Sequence, residues 1–260
     1  MIRLFTCWYD AGNPLRQAEL EECLRRNLAN PHIRQVVLWK DSGSVPVRES
    51  KLWVREEKRQ PTFDNLFALA SAVCARNDIA VIANSDIRFD DTVALAGNLG
   101  SNECYALLRW EENHKLFSSE DGPRDDSQDA WFFRAPIPLV GADFSPGRPR
   151  CDNGLAYRLW RLGFDLRNPA KSIHIHHLHA SSVRNYDSKK YRVPRPWLHL
   201  EPTALDVRGR MTLLHKKFSS KKKVGPCFQS GPFAHFEDVR PSRQRLERGA
   251  FSVAGGGKSF

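Results

Sequence analysis

Strands alternating with amphipathic helices through most of the first two hundred positions predict an α/β domain with a mostly parallel central sheet flanked by helices. Three observations carry that class. Arg3–Tyr9 (RLFTCWY), Gln35–Trp39 (QVVLW) and Ile79–Ala83 (IAVIA) are apolar, β-branched or aromatic runs of strand length. The segments between them repeat their apolar residues at helical spacing. Each run is also closed by turn-forming residues, as in the KDSGS of Lys40–Ser44.

Taken in order, Arg3–Tyr9 is the first strand, and Asn13-Pro14 then supplies a cap followed by proline at the first helical position. Leu20, Leu24 and Leu28 recur at i+4 and give this helix one apolar stripe, which stops at Asn30-Pro31. Gln35–Trp39 is the second strand and Lys51–Arg55 a short third one. Thr62 caps a helix whose buried face is Leu66, Phe67, Ala70, Val73 and Cys74. Ile79–Ala83 follows, the most strand-like run in the chain. Thr92–Leu99 reads as a short helix, Tyr105–Trp110 as a strand, Glu111–Gln128 as a polar loop and Trp131–Phe133 as a strand. Asp152 opens a helix lined by Leu155, Leu159 and Leu162 and ended by Gly163, and Lys171–Leu178 returns to extended form.

At 260 residues the chain can bury a large core, and 41% hydrophobic content marks it as globular. No apolar run has the roughly 18 residues needed to cross a bilayer. The first residues lack the pattern of a secretory signal, so a cytoplasmic protein is expected. The six cysteines are scattered with no CxxC pair, which points to neither a zinc site nor a disulfide framework; Cys7 and Cys74 read as small core residues. Net charge is +10, and Glu201–Phe260 alone holds twelve basic and five acidic residues. The expected organisation is a catalytic domain over 1–200 and a basic extension over 201–260. Such an excess favours polyanionic partners, and the lysine-rich tail can also contact a membrane surface.

The stretch IANSDIRFDD packs Asp86, Asp90 and Asp91 into six residues directly after a buried strand. A parallel sheet delivers such post-strand residues to the edge where ligands bind, so the loops bearing Asp41 and Asp86 belong to one rim. Acidic residues there can hold a hard cation, or be a solvated turn. His174, His176, His177 and His179 are the densest cluster; strand alternation sets the first two on one face and the last two on the other, which disfavours a zinc site made from all four.

The order strand, DSGS, strand, NSD, then the helix DNGLAYRLWRLGF and a histidine-bearing strand, resembles nucleotide-sugar glycosyltransferases of the GT-A fold, over roughly residues 1 to 185 and similar to family 2. DSQDAWFF, CDNGLAYRLW and IHHLHASSVRNY are further similar to a group of glycosyltransferases found in bacteria and plants. The resemblance implies transfer of a sugar from a nucleoside-diphosphate sugar to an acceptor hydroxyl, inverting and assisted by Mn²⁺ or Mg²⁺. Asn84-Ser85-Asp86 stands at the family's DxD motif, with Asp86 the metal ligand and His177 or His179 a further ligand. The Asn at the first position can offer a carbonyl oxygen or bond the ribose; it leaves open weaker metal affinity or metal independence. Asp41 matches a contact to base or ribose, and Arg184, with Asn185 and Tyr186, can close over the phosphates.

Asp152 matches the carboxylate that takes the proton of the attacking hydroxyl, a role one carboxylate can fill on the face opposite the leaving group; it also reads as a plain N-cap. Asn153 beside it, Asp129 and Trp131 are the expected substrate-binding residues, Trp131 by stacking on a sugar, unless the aromatics are core and Asp129 a strand-end cap. The acceptor is a glycan or another hydroxyl compound. A different reading is a nucleic-acid-binding protein gripping phosphates through Lys216, Lys217 and Lys221–Lys223, and the two merge if the acceptor is itself nucleic acid, as in modification of phage DNA bases.

Overall fold

A computed structural model describes residues 1–178 and 192–215. Strand β1 (Ile2–Trp8) leads to helix α1 (Pro14–Ala29), where the Asn13 side chain accepts the Arg16 N–H at 3.0 Å and satisfies one of the donors a helix start leaves open. Then come β2 (Ile33–Lys40), β3 (Leu52–Glu56) and α2 (Phe63–Val73). Thr62 and Asn65 cap α2 reciprocally, each side chain bonding the other's backbone N–H. Next are β4 (Ile79–Ala83), β5 (Ile87–Phe89), a 3₁₀ helix over Asp91–Asn98, β6 (Glu103–Leu107), the short β7 (Ser118–Ser119) and β8 (Gly122–Pro123), and β9 (Ala130–Arg134). The rest is α3 (Cys151–Arg161), β10 (Asp165–Arg167), β11 (Ile175–His177), β12 (Trp197–Leu200) and β13 (Met211–Leu214).

Seven strands form the central sheet in the order β10-β6-β9-β4-β1-β2-β3. Its β1–β2, β2–β3, β1–β4 and β6–β10 pairs are parallel; β9 runs against both β4 and β6. The mostly parallel, helix-covered sheet expected from the sequence is therefore present. Alternation along the strands divides the core. Phe5, Ile82, Trp131 and Phe133 pack with Phe67 of α2 and Leu155 and Leu159 of α3 on one face. Leu4, Val81 and Phe132 pack with Leu20, Leu24 and Leu28 of α1 on the other. All five residues of β4 are buried because both its faces are covered.

Several boundaries differ from the sequence expectation, each for a local reason. The strand expected over Tyr105–Trp110 runs over Glu103–Leu107, because the Leu108 N–H turns to the Asn168 side chain and Trp110 N–H to Ile175 O at 2.7 Å. Of Lys171–Leu178 only Ile175–His177 is a strand, since Ser172 and Ile173 both close a turn onto Pro169 O. Leu162 does not line the apolar side of α3: it is the C-cap and 51% exposed, while Gly163 at φ 89° takes the left-handed turn beyond. Val73 and Cys74 are only partly buried at the end of α2. Strands β5, β10, β12 and β13 are too short or too polar to stand out in the sequence.

Helix α1 also positions the strand that follows Asp86. The buried Asn27 amide donates to Ile87 O at 2.8 Å and accepts from Phe89 N at 3.0 Å, taking the place of a neighbouring strand, and Asn30 Nδ2 donates to Phe89 O. Asn27→Ala strands both backbone groups of β5 and is expected to cost about 2–3 kcal/mol. An unchanged urea midpoint in the variant would contradict this role.

Candidate active site

The carboxyl ends of the parallel strands meet at one edge of the sheet. Asp41 follows β2 there, its N–H bonded to Trp8 O at the end of β1, and its carboxylate accepts from Ser42 Oγ at 2.7 Å. Ser85 Oγ donates to Cys7 O on the same edge. The reversed strand β9 contributes its beginning to this edge, because Ala83 of β4 is in register with Ala130. Asn84 and Asp129 are thereby brought face to face: Asn84 N–H bonds Asp129 O at 3.0 Å, and Asn84 Nδ2 donates to Asp129 Oδ1, also at 3.0 Å. Strand β11 pairs with β5, and Leu178 N–H bonds Asp86 O, which sets His177 beside Asp86.

A chain of ion pairs joins these elements. Arg16, 6% exposed on α1, donates through Nη2 to Asp86 Oδ2 at 2.5 Å and through Nη1 to Glu19 Oε2 at 2.8 Å and Leu178 O at 3.3 Å. His177 Nε2 lies 3.3 Å from the same Asp86 oxygen, and its Nδ1 lies 3.2 Å from Glu111 Oε2. Arg109, on the segment after β6, donates to Glu111 at 2.8 Å and to Asp129 at 3.2 Å. Burial would raise the Asp86 carboxyl, but the His177 bond and the Arg16 charge outweigh it and hold it well below the ordinary carboxylate range. Burial would likewise lower His177, yet the bond to Asp86 leaves its imidazole raised. Burial opposes the charge of Arg16 too, and its carboxylate partners more than restore it.

Asp152 lies at the other end of this arrangement. It is not the N-cap of α3: that position is Arg150, which adopts a left-handed φ of 69° and makes no side-chain cap bond. The Asp152 carboxylate instead accepts Gln128 N–H at 3.4 Å and the Cys151 thiol at 2.9 Å. Burial, and then the charge of Asp129, push its pKa up to about 7. Asp86 and Asp152 are thus driven in opposite directions.

Other expected site residues fall elsewhere. Trp131 is 2% exposed in the core between α2 and α3 and offers no ring face to a sugar, because its position in β9 alternates inward with Phe133. Asn153 is fully buried, its Oδ1 taking Arg150 Nη1 at 3.4 Å, and presents no surface to a substrate. Asp90 caps the 3₁₀ helix through Thr92 and bonds His176 Nε2 at 2.9 Å, while Asp91 is exposed, so the three clustered acids part company. His179, Arg184, Asn185 and Tyr186 lie outside the described residues. Arg16, Arg109 and Glu111 were not anticipated. Arg16 had a signal: it sits four residues before Leu20 on the apolar stripe of α1, where a charged residue must find a buried partner. A cavity of 480 Å³ lined by Cys74, Arg76 and Pro136 lies at the opposite edge of the sheet, near Asp78, and holds none of these groups.

No family model and no curated protein matches the chain in sequence. In fold it is similar to the crystal structure of GalNAc-T7 with UDP, GalNAc and Mn²⁺, at a TM-score of 0.51 and 9% identity over 72% of this chain and 45% of that one. The chain thus spans less than half the length of that protein. It is also similar to the inositol-1-phosphate CTP transferase from T. maritima, at a TM-score of 0.39 and 12% identity over 70% and 91% of the two chains. The chain has a GT-A-like fold.

Arg16→Met leaves Glu19 and Asp86 without their shared guanidinium in a region where water reaches poorly. Breaking such a pair is expected to cost about 3–5 kcal/mol at neutral pH, read from denaturant unfolding. A loss below about 1 kcal/mol, the range of surface pairs, would show that Arg16 does not hold this edge together.

Proposed function

We propose that the chain is a glycosyltransferase that moves a sugar from a nucleoside-diphosphate sugar to an acceptor hydroxyl, with Asp152 as the base. The observation that supports this reading is the pairing of a carboxylate whose pKa is pushed up to about 7 with a donor-side cluster at the same sheet edge. A base near neutrality is best matched to accept a hydroxyl proton at working pH. In the reaction the acceptor oxygen bonds the anomeric carbon as the bond to the diphosphate oxygen breaks, and the proton passes to the Asp152 carboxylate. One base opposite the leaving group gives inversion. Asp41 and Asn84 are the residues assigned to base and ribose, and Asp129, which holds Asn84 and adds to the rise that burial gives the Asp152 pKa, positions both halves.

The Mn²⁺ or Mg²⁺ implied by the resemblance, of which Mn²⁺ is present in the GalNAc-T7 structure, does not fit the described residues as arranged, His179 lying outside them. Among the described residues no group of three or more His, Cys, Asp or Glu side chains is placed to hold a metal. Asp86 Oδ2 already carries the Arg16 guanidinium at 2.5 Å and His177 at 3.3 Å. The positive charge beside Asp86 is therefore the chain's own.

A thermal-shift screen of UDP-, GDP-, CMP- and dTDP-sugars, with and without Mn²⁺, tests the class. One nucleotide sugar is expected to raise the melting temperature, since a ligand that binds only the native state stabilises it; no shift with any of them would end the transferase reading. A further shift on adding Mn²⁺ would show that Asp86 exchanges Arg16 for a metal ion.

Asp152→Asn is expected to keep donor binding and slow transfer by about 10²-fold or more. Because the carboxylate must be deprotonated to act, wild-type kcat/KM should fall as pH drops below about 7. Asp129→Asn removes a negative neighbour, lowers the Asp152 pKa and moves that acidic limb to lower pH. Full turnover in Asp152→Asn, or a limb unmoved in Asp129→Asn, would discard the assignment.

A further inference from the structure

Around Trp197, at the start of β12 and beside the N-terminus of α3, arginines gather to an extent the donor-side cluster does not account for. The guanidinium carbons of Arg195, Arg150 and Arg192 lie 4.5, 5.0 and 5.7 Å from the centroid of the one indole ring. Trp197 is 5% exposed and its Nε1 donates to Val193 O, so the arginines cover its ring and no aromatic face is left for a base to stack on. Arg124 joins them: it binds the two oxygens of Asp126 at 2.8 and 3.0 Å, and Arg150 Nη1 takes the same carboxylate at 2.7 Å. Two guanidinium groups thus share the Asp126 carboxylate, and those of Arg192 and Arg195 lie over the same indole ring as Arg150. Arg192 is exposed, and Arg124 and Arg150 keep about a third of their side-chain surface in contact with water, so a solute can reach them.

The position of this patch relates it to the proposed base. Arg150 lies two residues before Asp152, Asp126 lies two residues before Gln128 whose N–H bonds the Asp152 carboxylate, and the charge of Asp152 is felt at Arg124. Like charges gathered around one ring repel, and an oxyanion that accepts N–H bonds from them relieves that repulsion. Guanidinium forks match phosphate oxygens in geometry as well as in charge.

We propose that Arg150, Arg192 and Arg195 form a phosphate-binding subsite for the acceptor. It selects acceptors that carry a phosphate group near the hydroxyl presented to Asp152. This rests on the reading of Asp152 as base for its link to transfer, but the binding itself does not.

Isothermal titration of the full chain with inorganic phosphate, at constant ionic strength made up with chloride, tests the subsite. Arg192→Gln and Arg192→Gln/Arg195→Gln remove charge while keeping side chains long enough to shield Trp197. Wild type is expected to bind phosphate, with the single variant about tenfold weaker and the double variant weaker still. Equal affinity in wild type and variants, or no phosphate binding by wild type, overturns the proposal. If the double variant no longer melts cooperatively, the exposed Arg192→Gln change decides alone. UDP titrated into the same proteins should bind equally well to all; phosphate binding lost in the variants from a chain that binds no nucleotide would remove the transferase reading and keep the subsite. Glycerol 3-phosphate and phosphatidylglycerol vesicles, compared on the same proteins, tell a soluble phosphate ester from a lipid headgroup.

Discussion

Burying Asp86 after a strand covered on both faces takes a carboxylate largely out of water, and Arg16 and His177 reach it from two other elements to compensate. An unpaired charge in such a place costs several kcal/mol, whereas a paired and hydrogen-bonded one is tolerated. The requirement propagates outward. Arg16 must lie in the first turn of α1, which fixes the rotation of the helix whose Asn27 and Asn30 then hold β5. His177 must lie beside Asp86, which fixes the register of β11 on β5. Asp86 and its partners Arg16 and His177 therefore tie three segments distant in sequence to a single edge.

The reversed strand β9 adds the second constraint. Had it run parallel to β4, its acidic beginning would lie at the far edge. Running antiparallel, it sets Asp129 against Asn84 and within reach of Arg109. Burial and the negative charge of Asp129 then raise Asp152, to which no cation is bonded among the described residues, while Asp86, with Arg16 and His177 beside it, is lowered. Two carboxylates of one chain are thereby shifted in opposite directions by their surroundings, Asp86 toward the charged form and Asp152 toward a pKa of about 7.

The segment between β6 and β9 connects these two regions. The guanidinium groups of Arg109 and Arg124 lie 3.7 and 5.1 Å from the Phe117 ring, so the loop is anchored at one end by the ion pairs of Arg109 and at the other by Asp126 and Arg150. The hairpin of β12 and β13 supports α3, where Leu198 and Leu200 pack in the core cluster that holds Leu155.

The sequence by itself determined the strands and helices that carry the sheet, because strand alternation, helical spacing and capping are local properties read from neighbouring residues. It also pointed to Asp41, Asn84, Asp86, Asp129, Asp152 and His177 as residues set at the ends of elements, which the structure places at one edge. What only the tertiary structure decided were the relations among them. Arg16 and Arg109 looked like ordinary charges until their partners, distant in sequence, were in place. Trp131 and Asn153 looked available until packing buried them, and Asp152 looked like a helix cap until Gln128 and Cys151 took its oxygens. Burial and ion pairing arise between segments far apart in the chain, so no window of sequence contains them; local pattern sets which elements form, and their assembly sets the charge each side chain carries.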